Sequence, residues 1–359
     1  MKHRRGEAQR RDTSVPTQED GRGAVRTVNL ERPGGTLHDT ERSHPPPWQL
    51  SSRLVIAVAL VVVLAAILVD VGRYYHAGSH GPRSIILPTQ PHSYLGLYQR
   101  GSTSSYAGVN QFAHAIGRQP NIVSYYSSWN EPFQERFAAA AVKHDSVPLV
   151  QMNPDHVNLA AIAAGRYDAY LSAFAGAVRS FKRPVIVGFG HEMNGSWFSW
   201  GYRHTRAAVF VAAWRHIVTL FRTRGAWNVT WLWTINVIDT KFGGVPAPTP
   251  WWPGSAYVTW VGIDGYYFKR SWTFAPLFGP TIKAVHALTH DPILIAETGA
   301  GKAVGQPAKI ADLFAGTKAY GLLGFLWFDA DGVHDWRITS PAALDAFRRY
   351  ARTYQKPGS

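Results

Sequence analysis

Residues 190–201, GHEMNGSWFSWG, set a His, a Glu, an Asn and two Trp directly after the apolar run PVIVGF. A second carboxylate closes another apolar run: PILIAE ends on Glu297 and is followed by TGAG. A carboxyl at the end of a buried strand can hold or transfer a proton, because burial and neighbouring charge raise its pKa. Two such groups facing one another suit glycoside hydrolysis with retention. One protonates the leaving oxygen and the other attacks the anomeric carbon. Aromatic rings beside them suit a sugar, whose apolar C–H face stacks on an indole. The HEMNG frame is not a zinc-protease signature, since the second His would fall at position 195, which is Gly. With no Cys in the chain, thiolate metal sites and Cys nucleophiles are excluded. No metal and no cofactor is expected.

These groups need a scaffold that gathers strand ends. Eight short apolar runs recur from residue 94 onward: YLGLYQ, NIVSYY, VPLVQM, PVIVGF, VTWLWTI, VTWVGIDGYY, PILIAE and LLGFLWFD. They are continuously apolar rather than alternating, as strands buried on both faces are. Helical stretches separate them. TRAAVFVAAWRHIVTLFRTR places Phe210, Ala213, Trp214, Ile217 and Phe221 on one face, with Thr205 as the expected N-cap. SPAALDAFRRYART opens with Ser340 as cap and Pro341 at the first helical position. Eight strand–helix units predict an α/β protein, a (β/α)8 TIM barrel over residues 91–356. A doubly wound sheet is the rival, but GFGHEM lacks the third glycine of a dinucleotide fingerprint.

In such a barrel, chemistry sits at the C-terminal strand ends. Strands four and seven offer Glu192 and Glu297. Strand two offers Tyr126 and Trp129, strand five Trp233 and Asn236, strand six Asp264, Tyr266 and Tyr267, and strand eight Trp327, Asp329 and Asp331.

Ahead of the barrel, residues 1–52 are polar and rich in Arg, Gly and Pro, and read as a disordered basic tail. Residues 54–69 are sixteen apolar residues without a charge, about 24 Å as a helix. That run predicts a single transmembrane helix over 53–72, an uncleaved signal anchor. The basic tail would lie inside, and a stalk over 73–90 would carry the barrel outside the cytoplasm. The net charge of +14 suits an anionic envelope. No basic run with interleaved aromatics follows the tail, and no nucleic-acid partner is expected.

The segment HEMNGSWFSWG resembles the acid/base motif of glycoside hydrolase family 26, the β-mannanase-type clan A barrels. VTWVGIDGYY, IAETG and FDADGVHDWRI resemble its strand six, seven and eight segments, in the family's order, so the likeness covers about residues 90–350. It implies that Glu192 is the acid/base and Glu297 the nucleophile. His191 and Tyr266 would line the cleaving subsite, Asn194 and Trp233 would join the substrate-binding set, and Trp197, Trp200 and Trp327 would give stacking surfaces. Family members commonly read RPFHEMNGSWFWWG. Here Gly188 replaces the Arg and Ser199 a Trp, which alters the subsite walls but leaves the pair intact. The expected activity is membrane-anchored, retaining endo-hydrolysis of a β-1,4-mannan-type polysaccharide. A mixed-linkage β-glucanase and a non-catalytic glycan-binding protein are the alternatives.

Overall fold

The computed structural model describes residues 87–239 and 244–354. Eight parallel strands run in sequence order around a closed barrel: β1 (Tyr94–Gln99), β2 (Ile122–Ser128), β3 (Val147–Asn153), β4 (Val185–Phe189), β5 (Val229–Asn236), β6 (Trp260–Tyr267), β7 (Ile293–Ala300) and β8 (Gly324–Asp329). Each coincides to within three residues with an apolar run of the sequence. The helices outside are α1 (Ala107–Ile116), α2 (Glu135–Lys143), α3 (Leu159–Ala163), α4 (Asp168–Phe181), α5 (Ala207–Thr223), α6 (Phe274–His286), α7 (Gln306–Ala319) and α8 (Pro341–Ala351). Between β5 and β6, the described residues form two 3₁₀ turns and no α-helix.

Alternation along the strands divides the core in two. Tyr94, Ile122, Leu149, Ile186, Leu232, Trp260, Leu294 and Leu326 fill the barrel interior. Their immediate neighbours, among them Leu95, Val123, Trp231, Trp233, Phe325 and Trp327, pack outward against the helices. Leu87 joins the interior cluster, and Tyr94 Oη donates to Pro88 O at 2.7 Å. The last residues of the expected stalk therefore belong to the barrel floor.

Strand β7 departs from this alternation. Ile263 pairs with Ile295, but the next residue, Asp264, pairs with Glu297. One extra residue, Ala296, is inserted as a bulge. Ile293 and Ile295 face the helices, and strict alternation would send Glu297 the same way. The bulge turns it inward instead.

Helix α5 buries Phe210, Ala213, Trp214, Ile217 and Phe221, as its periodicity requires. Its N-cap is Arg206, with no side-chain cap, and Thr205 Oγ1 instead donates to Ser199 O at 2.9 Å. Ser340 does cap α8, accepting from Ala343 N at 3.2 Å.

The expected architecture is corrected on one point. Among the described residues, no helix is long and apolar enough to cross a membrane. The longest, α5, carries charged and exposed positions on one side. The described fold is thus the barrel without a membrane-spanning helix. The tail of 1–52 and the run over 53–72, on which that expectation rested, lie outside the described residues.

Candidate active site

Glu192 stands just past β4, where the chain leaves the barrel wall. Gly190 N still bonds Met152 O of β3, and two residues on, Glu192 N bonds Thr234 O of β5, both at 2.9 Å. Between these two anchors the backbone turns sharply, and Glu192 takes φ 54. That left-handed conformation is costly for a side chain with a Cβ and persists where the surroundings enforce it. The carboxylate receives two donors: Trp197 Nε1 on Oε2 and Asn236 Nδ2 on Oε1, each at 2.6 Å.

Glu297 is brought in from the other side by the β7 bulge. Both its oxygens accept phenol protons, Oε2 from Tyr126 and Oε1 from Tyr266. Asp264 adjoins it in the ladder, and is 1% exposed with Oδ1 lacking a hydrogen-bond partner.

Three carboxyls in one buried place cannot all be ionised. Burial pushes Glu192 up to about 8, helped by the charge of Glu297 and opposed by the donors Asn236 and Trp197. Burial also raises Glu297, but its two phenol bonds favour the anion. Burial and the charges of both glutamates push Asp264 well up, so that it stays neutral. Tyr126 and Tyr266 are raised far above the usual phenol range by burial and by Glu297, and remain donors. The arrangement favours the proton on Glu192 and the negative charge on Glu297, whose two oxygens both accept phenol bonds.

His191 is buried, and desolvation lowers its pKa to about 3, so the ring is neutral. Its Nδ1 lies 3.1 Å from Asn153 Oδ1. With Nδ1 as the donor, Nε2 is left as an acceptor for a hydroxyl.

The other expected site residues divide sharply. Trp197 is 48% exposed beside Glu192, and Tyr266 stacks on Trp336 at 4.7 Å. Trp200 is buried against Phe198, and its Nε1 donates to His191 O at 2.8 Å. It braces the turn and offers no stacking surface. Asn194 is fully buried: Nδ2 donates to Asn236 O and Oδ1 accepts from Asn236 N. It positions a residue that holds Glu192 and does not face substrate. Trp233 and Trp327 are both 0% exposed and lie behind their strands, against Trp252 and Phe347 respectively. Alternation places them with the helices, away from the cleft.

Tyr126, Asn236 and Asp264, offered by the strand ends but given no role there, are gathered here, and Asn153, which the sequence did not single out, joins them. Parity was the available signal. Trp233 and Asn236 lie three apart on β5 and so face opposite ways, and the one at the strand end points in.

Below Glu192, Gln151 fills the barrel. Its Nε2 donates to Thr234 Oγ1 at 3.0 Å, and a Cβ on Gly188 would lie 1.9 Å from its Oε1. A larger residue at that place, such as the Arg that family 26 members commonly carry, requires the Gln151 side chain to move aside.

The donors set the expected pH dependence. If Glu192 serves as the general acid the sequence leads one to expect, it works only when protonated, and kcat/KM on a glycan is expected to fall as pH rises through about 8. Below that limb, an acidic limb marks protonation of Glu297, and both belong to the coupled pair. Tyr266→Phe removes a bond to the anion and shifts the acidic limb to higher pH. A kcat/KM profile of wild type and variant checks both, and an unmoved acidic limb would contradict the assignment. The sign for stability follows too. Glu192 is raised from 4.5, so its ionisation opposes folding, and stability falls as pH climbs from there towards about 8.

The sequence model for glycosyl hydrolase family 26 matches residues 103–300. Endoglucanase H of Acetivibrio thermocellus is 29% identical over 265 residues, 69% of this chain and 29% of its own length. A mannan endo-1,4-beta-mannosidase of Bacillus subtilis is 27% identical over 162 residues, 41% of this chain and 43% of its own. The chain therefore spans less than half the length of these curated relatives. A modular endo-beta-1,4-mannanase from Cellulomonas fimi has a similar fold, with TM-score 0.58 and 17% identity over 74% of this chain and 71% of that one.

Proposed function

We propose that this chain, which belongs to glycosyl hydrolase family 26, hydrolyses a β-1,4-mannan-type polysaccharide internally and with retention. The observation that carries this reading is the asymmetric pair. Glu192 is held protonated at the end of β4, and Glu297 is held as an anion between two phenols. In the first step Glu297 attacks the anomeric carbon while Glu192 delivers its proton to the leaving oxygen. In the second, Glu192, now a base, takes a proton from water, and that water displaces Glu297. Tyr126 and Tyr266 position the nucleophile. Their bonds weaken its charge in the ground state but prevent it from swinging away. Asp264, being neutral, adds no repulsion beside it. Trp197 offers an exposed ring next to the acid, where a leaving sugar would stack.

Mannose and glucose differ at the 2-hydroxyl, axial in one and equatorial in the other. His191 precedes the acid, and its free Nε2 suits a hydroxyl on that side. A second reading, a mixed-linkage β-glucan, is favoured by a particular observation. Gln151 occupies the space of the common Arg, which rebuilds the wall beneath the acid. The endoglucanase that matches 69% of this chain supports it as well.

The test compares kcat/KM on mannohexaose and on a mixed-linkage glucan oligosaccharide of equal length. The expected preference is for mannohexaose. A glucan value tenfold higher, about 1.4 kcal/mol of transition-state binding, overturns the mannan reading and leaves the glycanase reading intact. Hydrolysis of neither, nor of any other β-glycan, removes both.

A further inference from the structure

The cleft lies at the C-terminal ends of the strands. The opposite face has a chemistry of its own. Three adjacent turns there lead into β3, β4 and β5, and they carry Lys143, Arg179, Lys182, Arg183 and Arg224, all exposed. The only acid on the three turns is Asp145. The turns before β4 and β5 are joined: Arg179 Nη1 donates to Arg224 O at 3.1 Å, and Asn228 Nδ2 donates to Arg183 O at 2.8 Å. Among the described residues, none of the five cations lies within ion-pair distance of a carboxylate.

Helix dipoles explain a cation in the last turn of a helix, as Lys143 and Arg179 are placed. They do not explain Arg183, which lies beyond the helix. Nor do they explain why Lys182 stands at φ 57, a C-terminal position that favours glycine. On the same turn as Arg224 is Trp227, 41% exposed. Guanidinium forks match carboxylates in pairs, and an indole gives a flat apolar face to a pyranose ring.

We propose that this face is a second binding surface, separate from the cleft, for an acidic polysaccharide of the uronate class. The charges would take the carboxylates, and Trp227 would take one ring. Choosing a glycan over other polyanions rests on the glycanase reading above; the binding surface itself does not. Such a surface would hold the enzyme on an anionic matrix while the cleft works on a neutral chain.

The full chain is titrated with polygalacturonate, inorganic polyphosphate, a DNA duplex and vesicles of anionic phospholipid. The variants are Arg183→Glu/Arg224→Glu and Trp227→Ala, with Trp227→Tyr as the conservative control. The thermal midpoint of each is measured to establish that it folds, and turnover of a neutral oligosaccharide is recorded separately. The expected result is salt-sensitive binding of polygalacturonate, weakened about tenfold or more by the double reversal. Trp227→Ala weakens it about fivefold but leaves polyphosphate unchanged, and Trp227→Tyr restores it. Binding that ignores both variants overturns the proposal, as does a preference for duplex or vesicles over polygalacturonate. Absence of turnover in the unsubstituted chain, with polygalacturonate binding intact, would overturn the glycanase reading alone.

Discussion

Glu297→Ala is expected to lose turnover on every substrate, on the order of 10⁵-fold, because no glycosyl-enzyme bond can form. Glu192→Ala loses about 10²- to 10⁴-fold on a glycan, the usual worth of a general acid. On an aryl glycoside with a good leaving group its first step needs no proton, and the loss shrinks. The second step still lacks a base, so glycosyl-enzyme accumulates and a burst of the aryl alcohol appears. Azide tells the two apart. A small anion can attack in place of Glu297 in the Ala variant and gives a glycosyl azide of inverted configuration. In the Glu192 variant it attacks the glycosyl-enzyme and gives the retained product. Full activity of Glu297→Ala, or a shared configuration of the two azides, would sink the assignment. The structure makes the difference concrete. Glu297 sits between two phenol donors that persist without it, so a cavity with anion-binding character is left for azide to enter.

The second large effect falls on stability. Trp327→Ala and Trp233→Ala each remove a fully buried indole from between strand and helix. Truncations of this kind cost about 3–5 kcal/mol, through lost burial and the cavity left behind. For a domain of this size that lowers the thermal midpoint by about 10 °C. Trp197→Ala removes a half-exposed ring and should barely move the midpoint. Its cost appears in catalysis, where Glu192 loses a donor and the leaving sugar loses a surface. Calorimetry together with kcat and KM separates the two kinds of tryptophan. If Trp327→Ala kept its midpoint and raised KM instead, the outward placement of that ring would be wrong.

Strand positions and the closed barrel were legible in the sequence because each strand is buried on both faces and so reads as an unbroken apolar run. The same property hides which way a side chain points. A run such as VTWLWTIN does not say that Trp233 faces the helices and Asn236 the cleft. Spacing shows that the two face opposite ways; the pairing with β6 and the contacts of the ring establish which is which. Glu192 and Glu297 could be singled out because a carboxylate at the end of such a run is out of place. The roles of their supports could not be read. Tyr126 reaches Glu297 from a strand that is not its neighbour, and Asn194 spends its hydrogen bonds on the backbone of Asn236 and Pro246. The turn after β4 takes a left-handed conformation at Gly190 and again at Glu192, where no glycine announces it, and Gln151 acquires meaning only beside Gly188.

The extra residue at Ala296 bears on what fixes the direction of the reactive group. The bulge absorbs it locally, so Glu297 stays opposite Asp264 across the ladder. A chain without that alanine would bring the same glutamate directly after Ile295, opposite Asp264 in an unbroken ladder and still facing inward. A chain that kept the alanine but flattened the bulge would turn the carboxylate, and every residue of the strand after it, over to the helix layer. The length of the strand can therefore change by one residue without cost to the chemistry, provided the backbone takes up the difference before the glutamate and not after it.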